Sequence, residues 1–248
     1  LKAEILVTTT YKYQRLFYAA LRQQAAPIID IARNQGPDEA LQQIPLFVSD
    51  EPLLAVFRRM IFEVGLKSSA KSRMALLRRT RKADEADGWV SYFNEFIGPQ
   101  LLGRKLNRIK NMTATTQKLL NDYLAEAMGK GLSVPNIAKE LQSAFNIASR
   151  SRAITIARTD VISASNEAAY LGAESAGIAY KKFWSTSGLT GVRESHMHAE
   201  EWSYAQDGID PHESFDMGDG THMMYPGDEA GGAANIINCR CSLITLPA

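Results

Sequence analysis

The sequence predicts a mainly α fold, with long helices in the N-terminal region and a small α+β module at the C-terminus. Three observations carry this. Apolar residues recur at three- and four-residue spacing through most of residues 1–176, the period of helices with a buried stripe. Beyond Lys182 the chain changes character, for all four histidines, both cysteines and eight of the seventeen glycines lie there. Charge divides at the same place: residues 183–248 hold two basic residues against ten acidic ones, although the whole chain balances at +1. Compositions this different imply two structural regimes.

Residues 11–32 carry helical periodicity, with Pro27 expected to kink or break the helix. Gly36-Pro37 punctuates the chain. Ser49-Asp50-Glu51-Pro52 is a helix start, with a capping side chain, acids for the dipole and proline in the first turn. That helix buries Leu53, Val56, Phe57, Met60, Ile61 and Val64, and Gly65 is expected to end it. Asp87-Gly88 and Gly98-Pro99 bracket the aromatic stretch Trp89, Tyr92, Phe93 and Phe96.

A second helical block is expected from Gln100, with a pause at Asn111-Met112-Thr113 and a stop at Gly129-Lys130-Gly131. Ser133-Val134-Pro135 opens a short helix, followed by one over 150–176 that is rich in alanine. Such a small-residue helix admits close backbone approach, so it is expected at the centre of the fold. Gly177 supplies a left-handed cap. Alternation at Ile178, Tyr180 and Phe183 predicts a half-buried strand, and residues 241–246 predict a closing apolar strand. The domain boundary is placed at residue 99: a helical region over 1–99, then a module of helices (100–176) and short strands and turns (177–248).

Near-zero net charge excludes a whole-molecule field that would drive the chain onto nucleic acid or membrane. Two cysteines exclude a disulfide-stapled scaffold. No apolar run reaches the length of a membrane-spanning helix, so the visible chain reads as soluble.

Four constellations invite chemistry. His196, His198, Cys239 and Cys241 are zinc-ligand types, but a single residue separates the cysteines where structural zinc sites use two to four. On a strand both would face one side, and the bland alternative is a packed module with Cys239 and Cys241 as small buried hydrophobes and Arg240 outward. No metal or cofactor is therefore expected. A Cys–His nucleophile pair has the residue types without any protease signature around them. The acids Asp207, Asp210, Asp216, Asp219 and Asp228 lack the twelve-residue calcium-loop register and read as turn residues. The basic cluster Arg58, Arg59, Lys67, Lys71, Arg73, Arg78, Arg79, Arg81 and Lys82, against Glu63 alone, is a stripe that a nucleic-acid backbone or an acidic protein partner would reward.

Five motifs occur in a fixed order: Ile156-Ala-Arg158-Thr-Asp160, Trp184, Arg193-x-x-His196, Tyr225-Pro-Gly-Asp228 and Ile237-Asn238-Cys239-Arg240-Cys241. Together they resemble the Mu F-like phage head morphogenesis, or minor head protein, family over about residues 100–246. Asp160 stands where that family often has glutamate, and His198 offers a second histidine beside His196. The resemblance implies a non-enzymatic virion component near the portal, inside a capsid assembled in the host cytoplasm. It implies portal or capsid proteins as partners, contact with packaged DNA, a part in DNA ejection and no need for a membrane. The competing reading is a hydrolase or toxin-like enzyme using His196 or His198 with Cys239 or Cys241. The Arg158–Asp160 segment is expected to be architectural, with the Arg158 guanidinium paired to acids or carbonyls of the acidic tail.

Overall fold

The computed structural model describes residues 2–79, 88–188 and 190–248, except for the side chains of residues 2–7 and 79. Local chemistry sets most helix ends. Helix α1 (Lys2–Asn34) gives way at Gly36, whose φ of 100° is open to glycine, and Pro37 occupies the first position of α2 (Pro37–Phe47). Helix α3 (Glu51–Met60) opens where Asp50, Glu51 and Pro52 predict, with the Leu54 N–H donating to the Asp50 carbonyl at 2.9 Å. Helix α6 (Gly98–Gly129) stops at the Gly129-Lys130-Gly131 turn, and α7 (Val134–Glu174) is followed by left-handed Gly177 at φ 62°.

Helix interiors are more continuous than the breakers imply. Pro27 does not interrupt α1, because the residues around it (Ala25, Ile28, Ile29 and Ala32) are all buried in one apolar cluster that holds the helix through the missing hydrogen bond. Gly65 does not end a helix either. After α3 the chain passes through one π-helical turn (Ile61–Gly65) and continues as α4 (Leu66–Arg79). A Cβ on Gly65 would sit 3.1 Å from the Phe93 ring and 3.6 Å from Ala168, so this glycine serves packing. Likewise Gly98-Pro99 lies within a continuous run: α5 (Trp89–Tyr92), a π turn (Phe93–Ile97) and then α6. The expected pause near Thr113 is absent. Thr113 and Thr116 bond back to the carbonyls of Ile109 and Met112 at 3.2 and 3.1 Å and meet the Gln24 side chain, so their polarity is satisfied within the helix. The expected short helix after Ser133 is the start of the 41-residue α7.

The chain divides into two compact units, each built from separated stretches. One comprises Tyr11–Arg58 and Arg104–Ala157 and consists of helices joined by short turns. Its core joins Ile28, Ile44, Leu120, Leu124, Leu141 and Phe145. The other comprises Leu1–Thr10, Arg59–Gly103 and Arg158–Ala248. Here α4 crosses the C-terminal part of α7 so closely that a Cβ on Gly172 would lie 2.3 Å from the Ser69 carbonyl oxygen. The Ser68 and Ser165 hydroxyls meet at 2.8 Å along the same crossing. The small-residue helix is thus the spine of this unit.

Against it stand the strands. Strand β1 (Tyr180–Ser185) pairs antiparallel with β4 (Ser242–Pro247), placing Trp184 opposite Leu243, and β2 (Phe215–Asp216) pairs with β3 (His222–Met223). The closing strand begins at Ser242, so both cysteines precede it in the chain that follows the short helix α9 (Gly232–Ile236).

Candidate functional site

Two of the motifs, the Tyr225-Pro-Gly-Asp228 turn and the Ile237–Cys241 segment, reach one face of α7 in the second unit. Thr159, Ser163 and Asn166, spaced to share a helix face, tie the tail to the spine. Thr159 Oγ1 accepts the Asn238 N–H at 3.1 Å, and Ser163 Oγ donates to the Gly227 carbonyl at 2.8 Å. Asn166 donates to the Pro226 and Cys241 carbonyls and accepts the Leu243 N–H, each at 3.0 Å. The Tyr225-Pro-Gly-Asp228 turn owes its glycine to this approach, for Gly227 has φ 87° and a Cβ there would lie 2.8 Å from Ser163 Cα. The Asp228 carboxylate closes the turn by accepting the N–H groups of Met224 and Ala230 at 2.8 and 3.1 Å.

Arg158 corrects the expectation placed on it. It is exposed, and none of the hydrogen bonds among the described residues uses it, because it points one helical position away from the Thr159 face. Asp160 is buried on α7.

Helix α8 (Glu194–Ala205) explains the Arg-x-x-His spacing. Arg193, at its N-terminal boundary, donates to the Ile237 carbonyl at 2.5 Å, and Ser195 donates to Asn235 Oδ1 at 2.8 Å. These two contacts hold the first turn of α8 against residues 235–237, and His196 enters the core between them. The imidazole lies edge-on to the fully buried Trp184 ring at 5.3 Å. Its Nδ1 lies 3.3 Å from Cys241 Sγ and 3.7 Å from Cys239 Sγ.

The cysteine segment is a turn. Asn238 adopts the left-handed region at φ 56°, the Cys239 N–H donates to the Ile236 carbonyl, and the Cys241 N–H points at Cys239 Sγ at 3.4 Å. Cys239, Cys241 and His196 are 2–3 % exposed, whereas Arg240 projects outward. Hydrogen bonds from Cys241 and then His196 push the Cys239 thiol below its usual range, and sharing with Cys239 plus burial pushes Cys241 up. His198 stands apart: it is exposed, with Nε2 3.6 Å from Asp216.

The acids are turn residues, as their register implied. Asp210, Asp216 and Asp219 each accept the N–H of the residue two further on, at 2.8, 2.8 and 2.9 Å. The Gly218 N–H holds Asp216, and Asn235 holds Asp219, below the usual carboxylate range.

Of the basic residues, Lys67, Lys71 and Arg78 are exposed on one face of α4, and Arg58 and Arg59 are exposed on α3. Arg59 pairs with Glu63 at 2.8 Å. Arg73 turns inward, donating to the Ser175 carbonyl at 2.6 Å and covering the Trp89 ring. Arg81, Lys82 and the Arg79 side chain lie outside the described residues.

Lys182 escaped the sequence reading. It is fully buried on β1, donates to the Met224 carbonyl at 3.0 Å and lies over the Tyr170 and Phe215 rings. Burial pushes its pKa down to about 8. No periodic signal marks a lysine whose strand is covered on both faces. Thr159, Ser163 and Asn166 did carry one, as polar residues at helical spacing within an alanine-rich stretch.

No curated protein and no solved structure matches the chain. The family described as Phage Mu protein F like protein matches residues 118–244, just over half of the sequence and inclusive of every motif assembled at this site. The chain belongs to that family, a family of phage structural proteins.

Proposed function

We propose that this chain is a minor head protein, built into the phage head at the portal on the capsid interior, acting in head morphogenesis and DNA ejection. The family match over residues 118–244 carries this reading. The site supports it, because polar groups such as Thr159, Ser163, Asn166 and Arg193 are consumed in holding α7, α8 and the tail together. The competing Cys–His enzyme has its residues in contact, yet a nucleophilic sulfur must be reachable, and both sulfurs and the imidazole are buried.

On this reading residues 1–99 contribute the surface that meets other head components, and residues 100–248 carry the family's own module. The exposed row of Lys67, Lys71 and Arg78 on α4, with Arg58 and Arg59 on α3, is the face offered to packaged DNA or to an acidic portal surface. Co-expression of the tagged chain with its cognate portal protein tests the proposal, with copurification of the two expected. Failure to bind portal, procapsid or DNA at low salt would remove the basis for the head assignment. Loss of a measurable turnover in Cys239→Ser at unchanged melting temperature would favour the enzyme.

A further inference from the structure

We propose that His196, Cys239 and Cys241 form a zinc-binding site that staples the first turn of α8 to the chain entering β4. The three side chains come from segments more than forty residues apart in sequence, yet their candidate ligand atoms all lie within 4.8 Å of one another. Imidazole nitrogen and cysteine sulfur are the donor set that zinc selects.

The geometry fits the ion. Bonds of about 2.05 Å to nitrogen and about 2.3 Å to sulfur at tetrahedral angles place nitrogen and sulfur about 3.6 Å apart. The two nitrogen–sulfur distances are 3.3 and 3.7 Å. One short adjustment of each side chain would seat a cation between them.

The surroundings are arranged as an outer shell. The Cys241 N–H aimed at Cys239 Sγ orients that sulfur as an acceptor. Asn238 is fixed in its left-handed turn by Thr159, Arg193 clamps the Ile237 carbonyl, and the Trp184 ring edges the imidazole. Two thiolates and a neutral imidazole around a dication carry no net charge, so the site can be buried without stranding an uncompensated ion. The one-residue cysteine spacing, unfavourable on a strand, is workable here because the chain turns at Asn238 and both sulfurs face the same imidazole. His198 is exposed and lies outside the cluster, so among the described residues the site offers three ligands. This site adds to the head-protein reading and does not depend on it.

The test uses the full chain, stripped with a chelator, exposed to excess zinc and desalted. One zinc per chain is expected, together with a rise in melting temperature that the chelator reverses. Cobalt(II) in place of zinc should give a thiolate-to-metal charge-transfer band. His196→Ala, Cys239→Ala and Cys241→Ala should weaken binding by well over about tenfold, while His198→Ala keeps full stoichiometry. If the alanine variants fail to fold, the wild-type stoichiometry and the cobalt band decide the matter. A wild-type chain that retains under about a tenth of an equivalent would overturn the proposal, leaving only a thiol–imidazole contact. So would a cobalt complex without the thiolate band, or a folded His196→Ala chain that binds zinc as tightly as the wild type.

Discussion

Asn166 makes three buried hydrogen bonds to two tail segments. Asn166→Ala leaves the Pro226 and Cys241 carbonyls and the Leu243 N–H short of a partner, so a loss of about 3 kcal/mol or more is expected in denaturant unfolding. Arg158→Ala should change stability by less than about 0.5 kcal/mol, since the guanidinium is exposed. The reverse ranking would show that the arginine, not the polar face beside it, anchors the module. The sequence located the helix and its neighbouring motif, and the spacing of Thr159, Ser163 and Asn166 in an alanine-rich stretch marks a polar face. Each residue is individually ordinary, however, and their partners come from distant segments. Lys182 makes a separate prediction. Its folded pKa of about 8 lies below its usual 10.5, so between those values the unfolded chain binds a proton that the folded chain lacks. Stability contributed through Lys182 therefore rises with pH from about 8 to about 10. Above that, Tyr180, whose pKa is raised by burial, acts with the opposite sign. Comparing wild type with Lys182→Met across pH 7–10 should show the rise in wild type and a flatter profile in the variant. Parallel profiles would contradict the buried charge.

Among the elements, α4 and α7 cross with backbone against backbone at Gly172. A Cβ at Gly172 would meet the Ser69 carbonyl, Cα and carbonyl carbon at 2.3, 2.6 and 2.7 Å, all backbone. Gly172→Ala must therefore push the helices apart and should cost several kcal/mol, on the order of 3. Gly103, inside α6 with nothing within 4 Å of its added Cβ, is the counterpart: Gly103→Ala should be neutral or stabilise by about 0.5–1 kcal/mol. Thermal unfolding of the two variants checks the contrast, and equal effects would refute the close crossing. The same pair explains what the sequence could convey about the helices. Starts at Pro37 and Asp50-Glu51-Pro52, the stop at Gly129-Lys130-Gly131 and the Gly177 cap were legible, because each is local backbone chemistry. The continuity through Pro27, Gly65 and Gly98-Pro99 was not. There a breaker's local cost is outweighed by apolar neighbours, or by the need for a residue without a side chain at a contact formed by distant segments. For the cysteines, burial of Cys239 and Cys241 with Arg240 outward was legible, but the strand placement was not, since β4 starts only at Ser242 and the chain before it turns at Asn238.

For the whole molecule, the charge division along the chain takes on a physical meaning. Four of the ten acids of residues 183–248, Asp210, Asp216, Asp219 and Asp228, cap local turns, while exposed basic residues such as Lys67, Lys71 and Arg78 stay on helix surfaces. Cationic side chains thus line exposed helix faces, and several of the acids are held in local turns. If those faces meet DNA, Lys71→Glu with Arg78→Glu should weaken DNA association and flatten its salt dependence, read as the slope of log affinity against log salt. An unchanged slope would assign the faces to protein partners. The central claim is that the chain is a built-in component of the head. Its most direct test is quantitative mass spectrometry of procapsids purified from cells infected with the cognate phage. The account predicts the chain at a fixed, small ratio to portal protein, retained through gradient purification and lost when residues 118–244 are deleted. A chain that is absent from procapsids and recovered only in the soluble lysate would contradict it.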